Sequence, residues 1–223
     1  MRTFRLSRAT EHDFGIVINL IEAAAKWLRT KDTDQWRDPW PNLAGRNARV
    51  RNGLRLGTTW IVWAYAPEPD RGDVAVATIT LDATANPIVW DKKEAAEPAA
   101  YVNRLVVHRE YGGRGLGAAL LSWAAKEAAK SFGAEWIRID VWTNNEALHK
   151  YYQRQGFEKV KPDCSDPNYP SRARFKRHVG YVGDDGGIEL KVVSGPAPQP
   201  ERLRCRAVAL VGAPDTSAES MSL

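Results

Sequence analysis

The amino-acid sequence predicts one domain of the mixed α/β (α+β) class, and three observations support this. The length of 223 residues is sufficient for a single large core without disulfide bonds. Residues 101–160 read as strand, glycine-rich loop, helix, strand, helix and strand, a pattern typical of partly parallel sheets. The chain before them opens with a short alternating strand followed by a helix with amphipathic spacing.

The elements of the first half follow from hydrophobic periodicity and turn residues. Thr10 is placed to cap the first helix, which has apolar side chains at helical spacing. A break rich in tryptophan, acids and proline separates it from a second helix that carries several arginines. The predicted elements are a strand at 3–7, helices at 14–28 and 43–54, and a hairpin of strands 58–65 and 74–81.

The second half carries the stronger signals. The predicted elements are a strand at 101–107, a helix from 117 to about 132 that Gly133 ends, a strand at 135–142, a helix at 145–155 and a strand at 157–160. We assign residues 1–182 to the domain and 183–223 to a loosely ordered C-terminal appendix, because its composition is rich in glycine, proline and serine. Within it, 203–211 is the segment that could dock as a strand or helix.

Composition excludes several classes of protein. The net charge of +5, from 32 basic and 27 acidic residues, forms no basic stripe, so we expect no nucleic-acid partner. No run of eighteen apolar residues and no secretory signal is present, so we expect no membrane association and a cytoplasmic location. Cys164 and Cys205 are the two cysteines, too few for a disulfide framework or a metal cluster, so no metal is expected.

Glycines 112, 113, 115 and 117 lie between a buried strand and a helix start. Backbone amides without side chains, together with the helix N-terminus, form a cradle for phosphate or pyrophosphate. Two ligand classes fit it. The pattern Gly113-x-Gly115-x-x-Ala118 satisfies a dinucleotide fingerprint, although Asp140 lies nearly thirty residues from the first glycine rather than about twenty, and no further βα repeats follow.

A second motif supports a different ligand class. Residues 101–121 read YVNRLVVHREYGGRGLGAALL and residues 145–157 read NEALHKYYQRQGF, which matches N-x6-Y-x3-G-F. Together, in this order and at this separation, the two motifs resemble those of the GNAT family of N-acetyltransferases. The likeness extends over about 3–180. One position departs from the family pattern Q/R-x-x-G-x-G/A, because its first residue is Gly112 here; Arg109 or Arg114 could compensate.

The resemblance implies a mixed, splayed β-sheet flanked by helices, and acetyl-CoA as cosubstrate. Tyr152 matches the general acid that protonates the departing thiolate. Asn145 is either a cofactor contact or a helix N-cap. The residues implied in cofactor binding are Leu105, Val106, Val107, Gly112, Gly113, Arg114, Gly115, Leu116, Gly117, Ala118 and Asn145. Two other functions remain open: a non-catalytic acyl-CoA-binding or regulatory module, and a nucleotide-binding oxidoreductase that uses the same loop.

We expect the acceptor to be a small-molecule or peptide amine, and the protein to be a monomer or homodimer. The loop between the first two helices lines the acceptor site in this family, so Gln35 and Trp36 are its candidate residues here. The base that deprotonates the amine is open, because Tyr101 stands where many relatives carry a carboxylate. His108 and Asp140 are the candidates, although we expect His108 to be a loop residue and Asp140 an outward-facing strand position.

Overall fold

The computed structural model describes residues 2–65, 72–184 and 186–193 of the chain. The strands are β1 (Arg2–Arg8), β2 (Thr59–Ala64), β3 (Val74–Asp82), β4 (Ala99–Val107), β5 (Trp136–Val141), β6 (Glu158–Val160), β7 (Ala173–His178) and β8 (Ile188–Val193). The helices are α1 (Phe14–Leu28), α2 (Leu43–Arg55), α3 (Lys92–Ala95), α4 (Leu116–Phe132) and α5 (Glu146–Arg154).

All eight strands form one open sheet in the order β6-β7-β5-β4-β3-β2-β1-β8. The pairs β4–β5 and β1–β8 are parallel, and the others are antiparallel. Helices pack on both faces. The expected class, a mixed sheet flanked by helices, is therefore confirmed.

The core lies on both faces of the sheet, and β2 illustrates why. Its alternate side chains point to opposite faces, so Trp60 and Val62 pack with α4, whereas Ile61 and Trp63 pack with α1 and α2. Every residue of β2 is consequently buried. This double coverage fixes the register of the central strands, because a shift by one residue would exchange the two faces.

The sheet splits between β4 and β5. These parallel strands pair only from Ala99 to Tyr101 against Trp136 to Arg138, and beyond these three pairs they diverge. On its other edge β4 stays paired with β3, but a bulge interrupts the register between Thr78 and Thr80. Opposite the bulge, Arg104 adopts a left-handed conformation with φ of 47°. The gap beyond residue 101 opens a cleft within the sheet.

Most predicted elements lie within one or two residues of their observed bounds. Gly133 ends α4 in the left-handed conformation, with φ of 62°. Thr10 caps a single 3-10 turn that leads into α1, and its N–H and hydroxyl donate to the Asp13 carboxylate. None of the helices in the described ranges is long and apolar enough to cross a lipid bilayer.

Two strands differ from the sequence analysis. β7 was not predicted, yet it lies between β5 and β6. β8 falls inside the segment assigned to a loose appendix from residue 183, whereas residues 188–193 pair in parallel with β1 over six positions. Ile188 becomes buried there, which accounts for the ordered strand. Segment 203–211 lies outside the described residues.

Candidate active site

A cleft of about 1580 Å³ occupies the gap between β4 and β5. Its walls are the diverging parts of these strands, α1 and α2 with the loop that joins them, and the first turns of α5. Most site residues predicted from the sequence line this cleft. The exceptions are the residues of the glycine loop that follow Gly112.

The free edge of β4 supplies backbone amides to the cleft. The N–H of His108 donates to Val76 in β3 at 2.8 Å. Because amides alternate along a strand, the N–H groups of Val107 and Leu105 point to the opposite edge, where β5 has diverged. Val106 instead buries its side chain against α1 and α2. The backbone N–H groups of Leu105 and Val107 therefore face the gap, while the side chains of all three residues pack against the core, Val106 on one face of the sheet and the other two on the opposite face.

The glycine loop enters α4 with two left-handed residues, Gly113 at φ 69° and Gly115 at φ 89°. This conformation favours glycine. The amides of Leu116, Gly117 and Ala118 begin the helix and have no intrahelical acceptor. Together they form a concentration of N–H groups that suits an anion. The structure thus retains the cradle that the glycine spacing predicts.

Gly117 has a second role. A Cβ at this position would lie 2.5 Å from the hydroxyl oxygen of Tyr151. Tyr151, one residue before the predicted acid, therefore packs its ring against the start of α4. Burial raises its pKa to about 12.

At Gly112, where the family pattern has Gln or Arg, the side chain of Arg109 occupies the adjacent space. A Cβ there would lie 3.2 Å from both a guanidinium nitrogen and the carbonyl oxygen of Arg109. The Arg109 guanidinium also lies over the Trp27 ring, 4.9 Å from its centroid. Arg109 and Gly112 both line the cleft, whereas Arg114 is exposed outside its wall. Of the two arginines proposed to compensate, Arg109 holds the adjacent space.

Asn145 is the N-cap of α5. Its side-chain oxygen accepts a hydrogen bond from the Leu148 N–H at 3.0 Å, and its amide nitrogen donates to Gln35 at 2.6 Å. Both predicted acceptor residues, Gln35 and Trp36, line the cleft. The loop that carries them is tied further to the site by Trp142, whose indole N–H donates to Asp34 at 2.6 Å and lowers the pKa of that carboxyl.

Tyr152 also lines the cleft and is held rigidly. Its ring contacts Tyr151, Phe157 and Phe175 at centroid distances of 5.3, 5.5 and 6.4 Å. Burial, with smaller contributions from Tyr151 and Asp140, raises its pKa well above the usual range of a phenol. The hydroxyl is therefore protonated throughout the physiological pH range.

Asp140 lies on β5 just beyond the last pair with β4, and it faces the cleft rather than solvent. The expectation of an outward position is wrong, because the divergence of β4 exposes this stretch of β5 to the interior of the split. Tyr169 donates a hydrogen bond to its carboxylate at 2.8 Å, and Asn86 donates to the Tyr169 oxygen at 3.1 Å. Burial raises the pKa of Asp140 to about 6, against opposing effects of Tyr169 and two arginines.

His108 lines the same cleft and packs its ring 6.5 Å from that of Tyr111. Sequence reasoning missed Tyr169, Arg49 and Arg104 as members of the site. Tyr169 lies in an irregular segment between β6 and β7, and the arginines looked like an ordinary charged helix face and strand residue. In the described ranges, no three His, Cys, Asp or Glu side chains form a group that could hold a metal ion.

Comparison with known proteins identifies the family. The family model of the acetyltransferase (GNAT) family matches residues 21–157, more than half of the chain. The chain belongs to this family. The matched range holds both predicted motifs, the split between β4 and β5, and every site residue described above except Tyr169.

One relative of this GNAT protein is the uncharacterized N-acetyltransferase YesJ of Bacillus subtilis (strain 168). The two are 28% identical over 163 residues, which is 70% of this chain and 83% of that protein. The similarity to this relative therefore extends over more than two thirds of the chain.

Solved structures share the fold at low identity. A GNAT acetyltransferase from Listeria monocytogenes superimposes with a TM-score of 0.59 at 18% identity, over 78% of this chain and 94% of the other. The PaiA N-acetyltransferase from Thermoplasma acidophilum, solved in complex with coenzyme A, gives 0.56 at 16% identity, over 78% and 98%.

Proposed function

We propose that this GNAT protein transfers an acetyl group from acetyl-CoA to an amine by direct attack in a ternary complex. The observation that carries the proposal is the split between β4 and β5. It brings an unpaired strand edge, a protonated phenol and a carboxylate with a pKa near 6 into one cleft. Family membership, and a coenzyme A complex among proteins of the same fold, support the choice of donor.

The chain would hold the cosubstrate through backbone groups. The N–H groups of Leu105 and Val107 can pair with the amide-bearing pantetheine arm as an added strand does. One of them can polarise the thioester carbonyl and stabilise the oxyanion that develops on it. The amides from Gly113 to Ala118 would receive the pyrophosphate, with charge added by Arg109. Asn145, whose polar atoms are both engaged, serves to position α5.

Tyr152 is the proposed general acid. As the amine nitrogen forms its bond to the acetyl carbon, the carbon–sulfur bond breaks and negative charge grows on sulfur. A buried phenol is a weak acid, but the sulfur departs beside it in the same cleft, where burial would raise the pKa of the thiol as well. Tyr152 therefore donates a hydrogen bond to the developing thiolate and then its proton, so that coenzyme A departs as the thiol.

Asp140 is the proposed base. An amine of pKa near 10.4 is deprotonated only about once in 10³ molecules at pH 7, a cost of about 4–5 kcal/mol. A carboxylate with a pKa of about 6 is ionised at that pH and is a stronger base than an ordinary aspartate. It accepts a proton from the bound ammonium. After the carbon–nitrogen bond has formed, the nitrogen loses its second proton to solvent, and solvent water reprotonates Tyr152.

The test is a screen of amine acceptors by thiol release from acetyl-CoA, followed by Tyr152→Phe with the best acceptor. We expect kcat to fall about 100-fold, because general acids contribute that order of acceleration, while the Kd for acetyl-CoA stays unchanged. Tyr65→Phe, at an exposed tyrosine, is the matched control. Acetyl-CoA binding without thiol release from any amine would instead identify a non-catalytic acyl-CoA module.

A further inference from the structure

Two guanidinium groups line the acceptor side of the cleft without a carboxylate partner. Arg104 projects from the β4 bulge, and Arg49 is an exposed residue of α2 whose side chain lines the cleft. In the described ranges no carboxylate oxygen lies within 4 Å of a nitrogen of either side chain. Asp82 and Asp140 attract Arg104, and Asp140 attracts Arg49, but only from beyond ion-pair distance. Two cations at one end of the cleft therefore repel each other and favour an anion between or beside them.

The hydrogen bonds of Arg104 are incomplete. Its Nε donates to the Thr80 hydroxyl at 3.3 Å, and its two terminal nitrogens have no acceptor among the described residues. Arg49 donates to the Trp40 carbonyl through one terminal nitrogen and stacks over the Trp40 ring at 4.8 Å. Each guanidinium thus has terminal N–H groups still available on the cleft side.

Arg104 is half-buried, whereas the three buried arginines of the described ranges have acceptors for their terminal nitrogens, although the Nε atoms of Arg138 and Arg177 have none. Arg174 donates to Glu94 and to two backbone carbonyls. Arg138 forms an ion pair with Glu97, and the terminal nitrogens of Arg177 donate to the carbonyls of Leu121 and Gln155. Holding a cation partly out of water with few partners is costly, and burial lowers the pKa of Arg104.

The backbone around Arg104 is arranged to hold it there. Its φ of 47° is unfavourable for a residue with a side chain and results from the bulge opposite β3. Gly53 of α2 leaves room for the guanidinium, because a Cβ there would lie 3.3 Å from an Arg104 terminal nitrogen and 2.7 Å from the Thr59 hydroxyl. β4 and α2 together leave space for the Arg104 guanidinium, which forms no ion pair with a described carboxylate.

We propose that the acceptor is an amine that also carries an oxyanion, with the amine at Asp140 and the oxyanion at Arg104 and Arg49. Asp140 is already engaged by Tyr169 and lies within electrostatic reach of both arginines. Guanidinium groups bind carboxylates through paired N–H donors. Amino acids are the simplest compounds with both groups, whereas polycationic amines would meet repulsion. This inference rests on the proposed acetyl transfer and specifies its substrate class.

The experiment compares matched acceptors by thiol release: a panel of amino acids, their aminophosphonate analogues, and the corresponding amino-acid amides that lack the anion. We expect kcat/KM for the best amino acid to exceed that of its amide at least tenfold, with the phosphonate arm distinguishing a carboxylate site from a general oxyanion site. In Arg104→Met the ratio of kcat/KM for the amino acid to kcat/KM for its amide should fall towards one, while activity on the amide persists. Arg55→Gln, at an exposed position on the same helix, should keep the preference.

Equal rates for acids and amides, or a polyamine as the best acceptor, would overturn the inference and leave acetyl transfer intact. Thiol release from no acceptor would contradict acetyl transfer instead. In that event, calorimetric titration of the same acid and amide pairs into the coenzyme A-loaded protein decides the anion site. Binding of acids but not amides supports it, and equal or absent binding overturns it.

Discussion

Asp140 governs the pH dependence that we expect of the activity. Its pKa of about 6 places the ionisation just below neutrality. The kcat/KM for a good acceptor should therefore rise with pH through about 6 as the carboxylate becomes able to accept a proton. Asp140→Asn should lose this limb and at least 100-fold of the rate at pH 7. Asp38→Asn, at an exposed position of the α1–α2 loop, should retain both. A limb near pH 6 that survives in Asp140→Asn would assign the base elsewhere.

Tyr169 adjusts that ionisation. Its hydroxyl donates to the Asp140 carboxylate at 2.8 Å, and this hydrogen bond stabilises the charged form and lowers the pKa. In Tyr169→Phe the burial remains but the donor is lost, so the acid limb of the kcat/KM profile should move to higher pH. A profile measured from pH 5 to 9 with one acceptor checks this. A shift to lower pH would show that the hydrogen bond does not act on Asp140.

The sequence could predict Tyr152 and the glycines, because a linear motif carries them. It could not select Asp140 over His108, because the difference depends on the divergence of β4 and on Tyr169, twenty-nine residues further along the chain. Likewise Arg104 is an ordinary strand arginine until the bulge turns it towards α2. These roles arise from tertiary contacts that periodicity does not encode.

Among the elements, the loop between β4 and α4 depends most on glycine. Gly115 has φ of 89°, so a β-branched residue there is strained. Gly115→Val should weaken acetyl-CoA binding at least tenfold by calorimetry, because the amides that follow would be displaced. Gly15→Ala is the matched control, since a Cβ at that helical position meets nothing within 4 Å. Equal affinity in the two variants would contradict the anion cradle.

β7 is a strand that the sequence analysis did not predict. Its sequence ARFKRH carries four basic side chains and shows no clear alternation of apolar residues. Four of its residues are nevertheless buried: Ala173 and Phe175 pack in the core, while Arg174 and Arg177 bond to acceptors in other elements. Strand prediction depends on hydrophobic alternation, so a strand that buries arginines is invisible to it.

The ion pair of β7 with α3 should contribute to stability. Arg174 lies 2.7 Å from Glu94, and the Arg174 side chain is nearly inaccessible to solvent. Arg174→Met would leave Glu94 partly buried without its partner, at a cost of about 2–4 kcal/mol. Lys176→Met on the same strand should cost less than about 1 kcal/mol, the usual value of its contact with Trp136. Urea unfolding of both variants distinguishes them, and equal losses would show that the pair is of little importance.

For the whole molecule, the Asp140 carboxyl should lower stability at neutral pH. Its folded pKa is raised above the unfolded value, so its contribution is most favourable below pH 4 and is lost as pH rises through about 6. Asp140→Asn should therefore be more stable than the wild type at pH 7, by on the order of 2–3 kcal/mol, and similar to it near pH 4. Urea unfolding at the two pH values measures this; an equal difference at both would contradict the raised pKa.

The sequence predicted the class of the sheet but not all of its strands. Its central strands follow from their apolar runs, and the split follows from the family resemblance. β8 was assigned to the tail because the segment from residue 183 onward is rich in glycine, proline and serine. Only its pairing with β1, at the far edge from β7, reveals it as part of the domain.

That pairing has a consequence for synthesis on the ribosome. Thr3 bonds to Glu189, a separation of 186 residues, so β1 receives its outer neighbour only when nearly the whole described chain has emerged. Until then β1 presents an open edge, which is the kind of surface on which nascent chains associate wrongly. Three positive charges lie along this first strand, on Arg2, Arg5 and Arg8. Their mutual repulsion would oppose such association between neighbouring nascent chains.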